Sequence, residues 1–273
     1  MILLMLSITS LHNPKIKQVI HLRKRKERDE RGLYLIEGYR ELLRFAEKGG
    51  YAEELYYSPE LFLGSNEMSL IQRLTGSTTS VYACVPNVFQ KISYRDRPDG
   101  LLVIAKQKRL TLKDLEKNLP KLRPPFLVIA EAIEKPGNLG TILRSSDASG
   151  VDGLIVCDQC TDIFNPNVVR ASVGTLFTVP VYEATSEDTL RWLKKENIII
   201  AAATPHGKIE FTLANFSQAI AIAVGTEQLG LSDKWMQGAD LQVRIPMQGV
   251  ADSLNVATAT TLLLYEVMRQ RCG

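Results

Sequence analysis

Residues 219–231 read AIAIAVGTEQLGL. Positions 219–224 are apolar throughout, without the alternation that a sheet with one wet face requires. A strand of this kind is covered on both sides, as in a parallel sheet flanked by helices. It runs into Gly225 and a loop that ends near Gly230. IIIAAA at 198–203 repeats the pattern.

Working outward, strands and helices alternate from residue 125 onward. Strands are expected at 126–130, 153–157, 179–182, 198–203, 219–224 and 241–245. Helices are expected at 138–149, 166–173, 186–196 and 233–237. Ligands of such sheets bind at the carboxyl ends of strands. Two further stretches place glycine-bearing loops beside apolar strands. One is 131–150, EAIEKPGNLGTILRSSDASG; the other is 244–271, RIPMQGVADSLNVATATTLLLYEVMRQR. In the latter, Pro246 and Gly249 punctuate a turn, and Asp252 or Ser253 is a good N-cap for a final helix at 253–269. Ser253 and Asn255 stand at the mouth of that apolar helix, where free N–H groups orient ligands. They read either as a cap alone or as part of a site. Three loops of one form suggest one composite pocket.

The motifs N-x-G-x-x-x-R (Asn138, Gly140, Arg144), G-x-E-x-x-G (Gly225, Glu227, Gly230) and I-P-M…S-L-N (Ile245 to Asn255) stand in this order. Together they resemble the three signatures of the SpoU (TrmH-type) RNA ribose methyltransferases, a group within the SPOUT superfamily. The likeness is strong over 125–273. The pattern of the residues alone gives a Rossmann-like parallel sheet. The resemblance implies in addition a deep trefoil knot, its last helix threading a loop, and a homodimer joined there. It implies methyl transfer from S-adenosyl-L-methionine to a ribose 2′-OH. By the same resemblance Gly225, Ile245 and Leu254 contact the cofactor. Met247 and Thr204, at neighbouring strand ends, are further candidates. Arg144 is the residue assigned to the chemistry. Guanidinium holds its proton at ordinary pH, so we read it as stabilising a developing alkoxide or gripping the adjacent phosphate. Asn138 and Asn255 suit orientation of the ribose and of Arg144. Glu227 is read as an orienting carboxylate and Ser253 as a cap that also touches substrate.

The N-terminal part reads as a smaller α/β unit over 1–107, followed by a linker at 108–124 that ends in Arg123-Pro124-Pro125. Strands are expected at 33–36, 54–57, 78–83 and 101–105, with helices at 39–48, 67–74 and 87–92. YLIEG at 34–38 and its helix resemble the L30e-like substrate-binding domain that often precedes the SpoU catalytic domain. The stretch 13–31 is the most charged and reads as one amphipathic helix. It is a solvated face or a phosphate contact, and in an RNA-modifying protein Arg23, Lys24, Arg25 and Lys26 become phosphate candidates. Arg170 in NVVRASVG is another. Tyr34, Tyr39, Phe45, Tyr56 and Tyr57 either stack on bases or fill the core.

A formal net charge of +3 neither requires nor excludes a nucleic-acid partner. Four cysteines make no disulfide framework in a chain of 273 residues, and a reducing cytoplasm fits. MILLMLSI is short, lacks a basic leader and is not read as a signal peptide. No run is long enough to span a membrane. Cys157-x-x-Cys160 is a lone pair without a histidine cluster, so no metal is expected. A nicotinamide oxidoreductase is disfavoured because no G-x-G-x-x-G follows a first strand. The leading expectation is a ribosomal RNA 2′-O-methyltransferase, with a transfer RNA enzyme or a catalytically silent RNA-binding protein as alternatives.

Overall fold

The computed structural model describes residues 5–272. In chain order its elements are β1 (Met5–Ile8), α1 (Pro14–His21), α2 (Arg25–Arg31), β2 (Leu33–Glu37), α3 (Tyr39–Glu47), β3 (Glu54–Tyr57), α4 (Glu67–Leu74), β4 (Ser80–Cys84), α5 (Pro86–Ile92) and β5 (Leu101–Lys106). There follow α6 (Leu112–Asn118), β6 (Phe126–Glu131), α7 (Pro136–Ala148), β7 (Gly153–Cys157), α8 (Pro166–Ser172), β8 (Val181–Ala184), α9 (Ser186–Lys195) and β9 (Ile199–Ala203). The chain ends with β10 (Ile209–Glu210), β11 (Ile220–Val224), α10 (Asp233–Gly238), β12 (Leu241–Arg244) and α11 (Val256–Cys272).

Two units form. The first takes the chain up to residue 108 together with 162–178; the second takes 109–161 and the chain from 179. The first holds a mixed sheet in the order β1-β4-β3-β5-β2, with β5 antiparallel to both β2 and β3. Its core gathers Ile16, Val19, Leu35, Tyr56, Phe89 and Leu102, all nearly inaccessible. The YLIEG turn has a direct physical account. The buried Glu37 carboxylate accepts from Ser93 Oγ (2.5 Å) and the Tyr94 amide (2.6 Å). Gly38 has φ 110°, and the Arg95 guanidinium and the Glu41 carboxylate occupy the space a Cβ would need. Only glycine satisfies both conditions.

The single helix expected at 13–31 is broken into α1 and α2. Asn13 and Pro14 start α1, the Asn13 side chain accepting from the Lys15 amide. Leu22 then turns inward, 1 % exposed. The carbonyls left free at the end of α1 are satisfied from a later turn: Arg28 Nη1 donates to Leu22 O (3.0 Å) and Arg23 O (2.7 Å). Arg28 is itself buried, and its Nε and Nη2 donate to Asp162 Oδ2 at 2.9 and 2.6 Å. That pair ties 162–178 into the first unit. Tyr34 packs on Phe164, ring centroids 4.6 Å apart.

The second unit is the parallel sheet that the apolar strands demand. Its order is β10-β12-β9-β11-β6-β7-β8, and every pair is parallel. β6, β7 and β11 are buried at every position. The stretch expected as a linker carries α6, closed by a reciprocal Thr111–Asp114 capping box, with Leu115 buried in the core of this unit. β1 and the two-residue β10 were not expected. No described helix is long and apolar enough to cross a membrane.

Candidate active site

Three of the expected cofactor positions are each the first residue beyond a strand. Thr204 follows β9, Gly225 follows β11 and Ile245 follows β12. These strands are neighbours in the order β12-β9-β11, so the three positions stand side by side at one edge of the sheet. The Thr204 amide donates to Val243 O at 3.0 Å, and Arg244 Nη1 donates to Gly207 O (2.8 Å) and Lys208 O (3.0 Å), fastening the loop after β9 to β12. The next strand inward, β6, ends in the buried Glu131. Its carboxylate accepts from the Ser232 amide (2.8 Å) and Ser232 Oγ (2.6 Å), closing the loop after β11.

Gly225 serves that loop directly. A Cβ there would meet the Gly230 carbonyl, and Thr226 and Gly230 exchange amide-to-carbonyl bonds of 2.9 and 3.0 Å. Ile245, Met247 and Leu254 are half-buried. Leu229 and Val250, in the flanking loops, are 89 % and 104 % exposed. Apolar side chains are thus available without being absorbed into a core.

The final helix begins at Val256, three residues later than expected. Its cap is Asn255, not Asp252 or Ser253: Asn255 Oδ1 accepts from the Ala257 amide (3.0 Å) and the Thr258 amide (3.4 Å). Its Nδ2 donates to Asn138 Oδ1 at 3.3 Å. Seven residues after Asn138 and six after Asn255, Ser145 Oγ meets Thr261 Oγ1 at 2.6 Å. Both contacts advance about two turns along each helix, so α7 and α11 run side by side in the same direction. Both positive dipole ends therefore arrive at the Asn138–Asn255 pair. Asn138 Nδ2 is buried and has no partner among the described residues. Ser253 is exposed and makes no hydrogen bond among them.

Arg144 precedes Ser145 by one residue and so leaves α7 about 100° from the stripe that faces α11. It is exposed, without a hydrogen bond or ion pair among the described residues. Glu227 pairs with Lys135, the residue that precedes α7. Lys135 and Glu131 were not singled out in the sequence. The signal for Glu131 is an acid closing an otherwise apolar strand; for Lys135 it is a base immediately before Pro136-Gly137.

The residues at these strand ends suit a cofactor with one flat apolar part and one polar part. A tight Gly225–Gly230 loop, half-buried apolar side chains at Ile245, Met247 and Leu254 and an unpaired buried amide at Asn138 all fit. Cys157 is buried, bonded to Thr189 Oγ1, and burial pushes its thiol up to about 12.

Residues 125–265 match the SpoU rRNA Methylase family model, and residues 13–103 match the MRM3-like substrate binding domain. The chain belongs to the SpoU rRNA methylase family. It is 31 % identical to the 23S rRNA (uridine(2479)-2′-O)-methyltransferase of Streptomyces viridochromogenes, over 90 % of this chain and 86 % of that one. A crystal structure of an RNA 2′-O ribose methyltransferase superposes with a TM-score of 0.82 at 38 % identity, covering 98 % of this chain and 100 % of that one. The AdoMet-bound rRNA methyltransferase from Sinorhizobium meliloti gives a TM-score of 0.88 at 30 % identity, with coverage of 97 % and 98 %.

In this SpoU chain the basic candidates of the first unit separate into two groups. Arg23 Nη2 donates to the carbonyls of Lys91, Ile92 and Ser93 at 3.1, 3.0 and 2.7 Å, closing the end of α5. Its Nη2 is thus engaged, while its Nε is buried without a partner among the described residues. Arg25 and Lys26 pair along α2 with Asp29 and Glu30 at 3.4 and 3.8 Å. Lys24 is exposed, as is Arg170 on α8, and neither has a partner among the described residues. Tyr34, Tyr56 and Tyr57 are core residues, 4 % exposed or less. Phe45 packs on Phe177. Tyr39 lines a cavity.

Proposed function

We propose that this SpoU chain transfers a methyl group from S-adenosylmethionine to a ribose 2′-oxygen of ribosomal RNA. The observation that carries the reading is the Asn138–Asn255 bond, which brings two helix N-termini together in a unit whose three neighbouring strand ends are Thr204, Gly225 and Ile245. Two of the relatives named above are 2′-O-methyltransferases of RNA, and the third, an rRNA methyltransferase, was solved with AdoMet.

Thr204, Gly225, Ile245, Met247 and Leu254 would hold the cofactor. When bound, S-adenosylmethionine supplies an electrophilic methyl group. The chain's own residues then have to position an oxygen and manage its proton. Arg144, exposed and uncommitted, offers five N–H donors to a developing alkoxide or to the neighbouring phosphate. It cannot take the proton itself. The two helix N-termini favour negative charge beside them. Asn138 and Asn255 hold each other, and the spare Asn138 Nδ2 is a donor for the ribose. Glu227, through Lys135, fixes the loop after β11 against the start of α7. Ser253 stands in the substrate-facing loop.

The same reading carries a trefoil knot, with α11 threading a loop, and a homodimer. What supports a second copy is the apolar surface left over: Leu262 and Tyr265 on α11 are 41 % and 44 % exposed. A cytoplasmic location agrees with the four free cysteines. Lys24, Arg25, Lys26 and Arg170 are proposed as contacts to the RNA backbone.

The test is transfer of labelled methyl from S-adenosylmethionine to unmodified large-subunit rRNA transcript, beside small-subunit rRNA and bulk transfer RNA. Label confined to the large-subunit transcript is expected. Label on transfer RNA alone would overturn the substrate, and no binding of cofactor by calorimetry would overturn the enzyme.

A further inference from the structure

A cavity of the first unit, about 850 Å³, lies among α3, the start of α4, the 95–99 turn and α8. Arg40, Arg97 and Arg170 line it. All three are exposed, and none has a hydrogen bond or ion pair among the described residues. Three of the four acids of the same cavity are engaged, and the fourth, Asp96, is exposed without a hydrogen bond or ion pair among the described residues. Glu41 accepts from Arg95 Nη2 at 2.6 Å, Asp99 Oδ2 accepts from the Tyr39 amide at 2.8 Å, and Glu67 Oε1 accepts from the Gly64 amide at 2.7 Å. The exposed charges of the cavity are therefore three cations, Arg40, Arg97 and Arg170, and one acid, Asp96, while Glu41, Glu67 and Asp99 are each under a tenth exposed.

The deeper wall is under-bonded. Arg95 Nε, Glu67 Oε2 and Asp99 Oδ1 are buried and lack partners among the described residues. Natural interiors rarely leave such atoms unpaired, and a cluster of three is a region that polar groups of a ligand or water would stabilise. Ser65 and Asn66 add further free polar groups, since the Asn66 side chain does not cap α4. Tyr39 supplies a half-buried aromatic.

We propose that this cavity receives a short single-stranded segment of the RNA substrate. Its phosphates lie on Arg40, Arg97 and Arg170, and a base turns inward toward Tyr39 and the polar wall. The proposal rests on the RNA substrate argued above, but adds a site and three residues to it. A phosphate run matches three uncommitted guanidiniums, since arginine binds phosphate oxygens in pairs. A concave wall with hydrogen-bonding groups suits exposed base edges, which a duplex keeps inside. Arg170 lies far along the chain from the other two, in the segment that Asp162 and Arg28 tie into this unit, so the site is assembled by the fold and not by a local basic run.

The experiment compares the full-length protein with the triple variants Arg40→Ala/Arg97→Ala/Arg170→Ala and Arg40→Lys/Arg97→Lys/Arg170→Lys. Binding of a labelled 12-nucleotide mixed-sequence single-stranded RNA is measured from low to moderate salt. A duplex of the same length and polyglutamate serve as competitors. Each single-strand phosphate contact contributes about 0.7 to the slope of log affinity against log salt, so the alanine variant should lose about 2 from that slope and bind at least about tenfold more weakly at low salt. The lysine variant should keep most of the slope. Cofactor affinity and melting temperature should not change in either. An unaltered slope in the alanine variant overturns the proposal while leaving the methyltransferase reading intact. Equal competition by duplex or polyglutamate overturns it as well. A wild-type protein that binds no RNA overturns both.

Discussion

Asn255 caps α11 with its carbonyl oxygen and reaches Asn138 with its amide, 3.3 Å away. One side chain therefore fixes a helix start and joins it to a second. The two duties can be separated. Asn255→Asp keeps the capping acceptor and loses the donor to Asn138. It should melt within about 0.5 kcal/mol of wild type yet transfer methyl poorly. Asn255→Ala should lose both, with about 1 kcal/mol of stability. Thermal melts beside single-turnover rates check this; an Asn255→Asp protein of normal rate would remove the bond from the mechanism.

Gly225 and Gly249 form a matched pair of glycines. A Cβ on Gly225 meets the Gly230 carbonyl, whereas one on Gly249 meets nothing within 4 Å. Gly225→Ala should weaken S-adenosylmethionine by at least about tenfold, or 1.4 kcal/mol. Gly249→Ala should leave it unchanged. Titration calorimetry on the two variants decides the matter.

Arg28 and Asp162 are both nearly inaccessible. Asp162→Ala leaves a guanidinium buried without its counter-charge and should cost about 3–5 kcal/mol. Replacing both, as Arg28→Met/Asp162→Leu, should recover only part of that loss, because the Leu22 and Arg23 carbonyls then lose the Arg28 donor. Urea unfolding of the singles and the double measures the coupling. Additive losses would mean that the pair does not anchor the 162–178 segment.

Burial disfavours the thiolate and pushes both Cys84 and Cys157 up to about 12. At pH 8 each is then ionised to about one part in 10⁴. Iodoacetamide at that pH should label exposed Cys160 and Cys272 first. Peptide mapping would show Cys157 modified only after denaturant. Early labelling of Cys157 would contradict its place in the core.

The parallel sheet was legible because 198–203 and 219–224 carry no polar residue on either face, and the strand-end loops because glycine marks each one. What stayed hidden depended on distant partners. Leu22–Lys24 breaks the first helix because Arg28 satisfies its last carbonyls, which no local rule reports. Asp252, Ser253 and Asn255 are all good capping types, and Asn138, more than a hundred residues earlier, is the bonding partner that Asn255 alone meets. Arg23 reads as part of a phosphate-binding run, but its Nη2 is engaged by three carbonyls at the end of α5. Residues 162–178 lie in sequence between two strands of the parallel sheet, yet pack with the first unit through Asp162, Phe164 and Arg28. β10 spans only two residues, below what a pattern of alternation or continuous apolarity can mark.

Arg144 is exposed and has no hydrogen bond or ion pair among the described residues, so Arg144→Ala should change stability by no more than about 0.5 kcal/mol while lowering turnover about 10²- to 10³-fold, as removal of a charge-stabilising donor does. Arg144→Lys should recover little, because a point charge lacks the paired donors. The direct measurement is the position of the transferred methyl in nuclease digests of large-subunit rRNA, wild type beside Arg144→Ala. Label on a ribose 2′-oxygen that disappears in the variant is the predicted result. Label on a base, or a 2′-O-methyl yield undiminished without Arg144, would contradict it.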